Sequence, residues 1–358
     1  MKLIPASAIA CCVVAVLAAC GGGDDNGPSQ PTRSFFMGFS AFPPRLDTSL
    51  VVPLLTLTTQ HSDAGLIQVS VPWALLLSGV PADSEVRSQR LPLANYYRGN
   101  GAKVVVTLDA TDGLDRAAEA PELVALGRSI TDTAVQRLYR EYVAAIDSML
   151  HPDYLSLTAE TNLVRLLAPD SVYGAIVTMA NTAAAERTVA GSTARLMVSV
   201  QVEAAWGRLQ GTNVFEGIAQ DRADFPFVTA LGLSSYPYLG GFPDPDSIPL
   251  NFYSRLTQGA PLPLVVLEGG WPSVAVGAVA SSPAMQSRYI DRQARVLDAA
   301  DAEGLFQITF TDLDLSAFPP PVPANLALFS HLGLVDSVLT PKPALAAWDS
   351  LLARAYRP

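Results

Sequence analysis

Two glutamates stand where apolar runs of the chain end, which is where a bond-cleaving site needs them. The first closes Leu155-Ser156-Leu157-Thr158-Ala159-Glu160. The second closes Leu264-Val265-Val266-Leu267-Glu268 and is followed by Gly269-Gly270-Trp271-Pro272. Glycoside hydrolysis uses two carboxyl groups facing each other across the scissile bond. One is protonated, to release the leaving oxygen; the other is ionised, to attack the anomeric carbon or activate water. An apolar wall or a neighbouring like charge sets that difference. Trp271 offers a flat apolar face of the kind sugars stack on. The competing reading makes both residues surface or loop-capping glutamates. Glu203, at the end of another run, is a third candidate, for which a solvated loop acid is the favoured reading. His61, His151 and His331 have no ligand spacing, no His/Asp/Glu cluster suggests a metal, and no Ser/His/Asp arrangement stands out. Neither metal nor cofactor is expected.

The elements that would position this pair are legible as eight apolar, strand-like runs: 35–41, 65–73, 103–108, 154–159, 195–202, 227–235, 264–267 and 305–310. Between them lie Ala- and Leu-rich stretches at helical spacing, among them 117–150, 171–190 and 282–302, with a last helix over 343–355. Eight strands alternating with helices predict a single-domain (β/α)₈ TIM barrel over residues 35–358. A doubly wound open sheet would announce a Gly-rich phosphate loop after its first strand. Here that strand is followed by Phe42-Pro43-Pro44. In a barrel, chemistry sits at the carboxyl ends of the strands. Polar and aromatic residues recur there: Trp73, Asp109, Glu160, Gln201, Trp206, Tyr236, Glu268 and Trp271. Such a rim suits a polyhydroxylated ligand. Asp109 also reads as a helix cap.

With 358 residues, 49% hydrophobic and 16% charged, the chain can bury a large core. Its formal net charge of −10, with no basic cluster, argues against nucleic acid and against electrostatic docking to anionic lipid. The N-terminus reads as a processing signal: Lys2, a short apolar stretch over 9–18, then Leu17-Ala18-Ala19-Cys20-Gly21. Residues 1–19 are expected to be a lipoprotein signal peptide, with Cys20 the lipidated residue. Residues 20–34, mostly Gly, Asp, Asn, Pro and Ser, would be a flexible tether. Cys11 and Cys12 fall within the leader, so no disulfide is expected. The expected location is the bacterial cell envelope, held by the lipid anchor alone, with the outer membrane favoured by Gly21. The barrel itself is expected to be a monomer.

Glutamates ending the fourth and seventh strands of such a barrel resemble the large retaining glycosidase clan of cellulases, β-galactanases and β-glucanases. Glu268-Gly269-Gly270-Trp271-Pro272 looks like the Glu-x-Gly-Trp-Pro segment of the arabinogalactan endo-β-1,4-galactanase family. Leu233-Ser234-Ser235-Tyr236-Pro237-Tyr238 resembles that family's strand-six segment. Gly333-Leu334-Val335-Asp336 and Thr340-Pro341-Lys342-Pro343 resemble the clan's last turn and helix. The resemblance implies that Glu268 is the nucleophile, Glu160 the acid/base, and Tyr236 the residue that orients Glu268. Trp73, Trp206 and Trp271 would be sugar platforms, and Gln201 and Asp109 would bind substrate. The implied partner is a β-linked oligo- or polysaccharide, galactan first. One departure matters: the clan places Asn before its acid/base, and this chain has Ala159. Asn162 lies two residues beyond Glu160, and no Arg or His is apparent on strands two to four. The alternative function is therefore a non-catalytic glycan-binding lipoprotein on the same barrel.

Overall fold

The structure, a computed structural model, describes residues 32–357. The expected leader, Cys20 and all but the last residues of the expected tether lie outside the described residues. Eight strand positions form one ring: β1 (Phe36–Ser40), β2 (Ala64–Ser70), β3 (Lys103–Asp109), β4 (Tyr154–Ser156), β5, β6 (Leu231–Ser235), β7 (Leu264–Gly269) and β8 (Gly304–Gln307). β5 is interrupted at Val198 into Arg195–Met197 and Ser199–Gln201. Its first half pairs with β4 and its second half with β6. Every pairing around the ring is parallel, with β8 closing on β1. Because one residue separates the two halves of β5, nine parallel segments make a nearly closed barrel, as the sequence predicts.

The barrel lumen is plugged from below by Phe36, Leu66, Val105, Met197, Val265 and Phe306, all buried. Burying a side chain of this size contributes roughly 1.5–3 kcal/mol, so this plug is a rigid floor, not a pore. Around it, strand residues of opposite parity pack on the helices. Trp348, fully buried on the last helix (Pro343–Leu352), sits 4.7 Å from the Phe39 ring and donates to the His61 carbonyl at 2.8 Å. At the opposite end from the strand termini, Thr32–Arg33 pairs in parallel with Ala355–Tyr356, and Arg33 reaches Asp63 at 2.5 Å.

Several expected boundaries shift. The stretch expected as one helix over 117–150 divides into Pro121–Ala125 and Thr133–Leu150. Gly127, at φ +63°, ends the first piece in the left-handed region, where a Cβ is unfavourable. Trp73 does not end a strand; it opens the short helix Trp73–Leu77. β4 stops at Ser156 rather than at residue 159, and β8 at Gln307. Among the described residues no helix is long and apolar enough to cross a membrane.

One irregularity decides what the barrel presents at its mouth. In the β6–β7 ladder Leu233 faces Val266, but Ser234 faces Glu268. Leu267 is therefore one extra residue on β7, a β-bulge. Val265 and Leu267 point into the lumen while Leu264 and Val266 pack outward. Strict alternation would turn Glu268 outward too. The bulge resets the parity, and Leu267 and Glu268 both line the mouth.

Candidate active site

A cleft of about 480 Å³ opens at the carboxyl ends of the strands. Glu160, Glu268, Tyr236 and Asp109 line it together, along with Thr107, Arg116, Ala159 and Ser199. Glu160 reaches it by an unusual backbone route. After Ser156 the chain bends, and Glu160 itself lies at φ +48°, ψ +46° as it caps the helix Thr161–Leu167. A non-glycine residue held in the left-handed region costs energy and persists only where its surroundings fix it. Those surroundings are visible. Tyr139 donates to the Leu157 carbonyl, the Ser199 amide donates to the Thr158 carbonyl at 3.1 Å, and the Glu160 amide donates to Ser199 Oγ at 2.9 Å.

The two carboxylates have different partners. Glu160 accepts from Arg116 Nε at 2.7 Å on one oxygen and from Ser234 Oγ at 2.6 Å on the other. Arg116 is buried. Its Nη1 also donates to Asp109 at 2.7 Å, to Thr111 Oγ1 at 3.0 Å and to the Asp112 carbonyl at 3.2 Å. Burial alone would lower the pKa of this guanidinium, but Asp109 and Glu160 outweigh burial and raise it, so the cation is permanent. Glu268 has one donor, the Tyr236 hydroxyl, at 3.1 Å. Burial, followed by the charge of Glu160, pushes Glu268 up to about 7; Arg116 and Tyr236 pull the other way. Tyr236 is itself held well above its usual range, by burial first and then by Glu268. The cleft thus sets an ion-paired carboxylate against one that takes up a proton near neutrality. The asymmetry separates the two groups, but it favours the proton on Glu268, the residue expected to attack as an anion.

The expected sugar platforms are elsewhere. Trp271 is fully buried, packed against Tyr289 at 5.6 Å and Tyr238 at 6.0 Å, with its Nε1 on Ser281 at 2.9 Å. The turn at Gly270 directs it outward from β7 into the helix layer; a Cβ on Gly270 would meet Gln307 at 2.6 Å. Trp73 is 1% exposed and lies beside Tyr139. Trp206 is half-buried away from the cleft, between Phe215, Phe252 and Arg255. Gln201 is buried as a helix cap, its Oε1 accepting from the Ala204 amide at 2.6 Å. The platform role of the three tryptophans and the substrate contact of Gln201 are corrected on these grounds: none lines the cleft.

Glu203 is not solvated. It is 0% exposed, accepts from Gln201 and Ser235, and is pushed up to about 7 by burial in spite of those donors. Asn162 does not replace the missing amide: it is buried and exchanges two 2.8 Å hydrogen bonds with the Gln201 backbone. Ala159 does line the cleft and presents a methyl there. Arg116 is the cleft residue that strand-end reasoning misses, because it comes from the loop seven positions after Asp109. Among the described residues no group of three or more His, Cys, Asp or Glu could hold a metal ion.

No family model matches the chain, and no curated protein matches it. Solved structures do. GH5_18 from Streptomyces cattleya, in complex with GlcNAc, superposes with a TM-score of 0.63 at 15% identity, over 92% of this chain and 83% of that one. GH5_18 from Bifidobacterium longum subsp. longum, in complex with Manb1-4GlcNAc, gives 0.61 at 14% identity, over 90% and 80%. The exo-beta-1,4-mannosidase of Opitutaceae bacterium strain TAV5 gives 0.60 at 14%, over 90% of this chain and 59% of that one. The present chain therefore spans little more than half the length of that mannosidase. At such identities the likeness is one of fold, and the shared fold is an α/β barrel.

Proposed function

We propose that this chain is a retaining glycoside hydrolase of β-linked glycans, with Glu268 as nucleophile and Glu160 as acid/base. The reading rests on one observation: the carboxyls from the ends of β4 and β7 share one cleft, with the Tyr236 hydroxyl on Glu268. In the first step a Glu268 oxygen bonds to the anomeric carbon as the bond to the leaving oxygen breaks, and Glu160 gives its proton to that oxygen. In the second, water gives a proton to Glu160 and its oxygen attacks the same carbon, which frees Glu268. Glu268 attacks only once ionised, so the first step needs its carboxyl free of the proton that burial favours. Thr107 and the half-buried Asp109 line the cleft beside the pair and offer polar contacts to a sugar ring.

A second reading is a glycan-binding relative that does not cut. Two observations favour it: Ala159 cannot donate the hydrogen bond an Asn would, and both Glu160 oxygens already accept hydrogen bonds, from Arg116 and Ser234. The deciding experiment incubates the folded, leaderless protein and its Glu268→Gln variant with β-galactan, β-mannan and β-glucan and with the matching simple β-glycosides. Sugar release by the parent alone supports the enzyme. Binding without release by both supports the second reading. Galactan is the substrate suggested by Glu268-Gly269-Gly270-Trp271-Pro272; the mannosidase among the structural neighbours adds mannan. The same proposal places the barrel at the cell envelope through a lipid on Cys20, so Cys20→Ala should release it from membranes.

A further inference from the structure

The cleft has two chemistries, divided by height. Its floor, at the strand ends, carries the carboxylates, Thr107 and Tyr236. Its wall comes from the loops after β1, β3 and β8, and carries Phe42, Leu46, Leu114, Leu313, Phe318 and Leu326. None of these six side chains has a polar atom. Phe42, Leu46 and Leu114 stand 44%, 70% and 37% exposed. A contiguous apolar surface of this kind at a site marks something that covers it in use. The wall is also preformed. The Asp314 amide donates to the Pro44 carbonyl at 2.7 Å, Asn325 Nδ2 to the Leu114 carbonyl at 2.6 Å, and the Leu313 amide to the Ser330 carbonyl at 2.9 Å. These bonds tie the three loops to one another, so the apolar faces stay apart instead of collapsing together. None of the six side chains can hydrogen-bond the hydroxyls of a second sugar, whereas an aliphatic chain would lose water and gain contact along its length.

We infer that the leaving half of the substrate is lipophilic: the cleft takes a β-glycoside whose sugar sits on the floor and whose nonpolar aglycone chain lies along the Phe42–Leu326 wall. This rests on the glycosidase reading of the floor, and it narrows that reading from a glycan to a glycoconjugate with an aliphatic aglycone.

The test uses β-glucoside, β-galactoside and β-mannoside series, each with methyl, octyl and triethylene glycol monomethyl ether aglycones, below micellar concentrations. The glycol is two chain atoms longer than octyl and a slightly better leaving group, so any octyl preference has to come from apolarity, and Kd is free of the leaving-group difference. Calorimetric Kd and kcat/KM are both measured. In the best-bound series, octyl should bind at least about tenfold more tightly than the glycol, with a gain of about threefold per buried methylene up to the length of the wall. Phe318→Ser with Leu326→Ser should shrink that ratio. Equal affinity for octyl and glycol, preference for the glycol, or no binding in any series overturns the inference, whatever the turnover. An octyl preference in Kd without turnover upholds the wall and removes the enzyme reading. Turnover with no octyl preference upholds the enzyme and removes the wall.

Discussion

Replacing Glu160 with Gln removes one negative charge from beside Glu268 and leaves the shape of the cleft in place. In the parent, burial and then the Glu160 charge hold Glu268 at about 7. If Glu268 attacks as a carboxylate, kcat/KM must fall tenfold per pH unit below that value, to about one-hundredth of its plateau at pH 5. The acid limb belongs to the coupled pair, not to one residue alone. In the variant the like charge is gone and Arg116 keeps only Asp109 as an anionic partner. Both changes favour ionised Glu268, so the limb must move to lower pH. The assay is kcat/KM against pH with a dinitrophenyl β-glycoside, whose leaving group departs without protonation and so keeps the first step alive without Glu160. With an alkyl leaving group the same variant should lose about 10²–10⁴ in kcat/KM, the usual worth of a general acid. A limb that stays put, or rises, would refute the electrostatic coupling on which the assignment of roles depends.

Three further outcomes follow from the buried groups. Glu203 binds its proton more tightly in the folded chain, at about 7, than at its ordinary 4.5. Its contribution is thus complete below the lower value and lost as pH rises through the upper one. Glu203→Gln should therefore flatten the fall of Tm between pH 5 and 8, with a gain on the order of 3 kcal/mol at the alkaline end; parallel Tm curves would contradict this. Arg116→Met strands the Asp109 and Glu160 carboxylates and should cost about 3–5 kcal/mol in urea unfolding, a loss that would be under about 1 kcal/mol if the pair were solvated. Trp271→Ala should cost about 3–5 kcal/mol of stability and leave the KM of the folded fraction unchanged. A large KM rise at unchanged stability would restore Trp271 as a sugar platform.

The barrel was legible because its strands are buried on both faces and so read as unbroken apolar runs such as Leu264-Val265-Val266-Leu267. The carboxylate pair was legible because a charge that closes such a run has few reasons to be there. The side-chain directions were not. Trp271 stands three positions after Glu268, yet the turn at Gly270 buries it in the helix layer, and no propensity records that. Arg116 was hidden by its place in a loop: sequence spacing carries no sign that it folds back over Asp109 and Glu160. Glu203 looked solvated because charge suggests exposure, whereas the donors Gln201 and Ser235 accommodate it inside. The sequence also placed the β4 boundary too late, since Leu157-Thr158-Ala159 continues the apolar pattern after the backbone has left the ladder.

The extra residue in β7 has a consequence for how this site can change over generations. Most single-residue insertions and deletions in a barrel strand are lesions, since they exchange inside for outside along everything that follows. Here one such event, in the neighbouring strand, separates a mouth that displays Glu268 from one that hides it behind the wall of the barrel. A residue inserted in β6 between Leu233 and Ser234 would pair with Leu267, restore strict alternation along β7 and silence the carboxylate without mutating it, whereas loss of Leu267 would keep Glu268 opposite Ser234 and facing inward. A lineage could thus cross from a displayed to a hidden carboxylate in one step, and comparisons that score only whether the glutamate is present would miss the crossing.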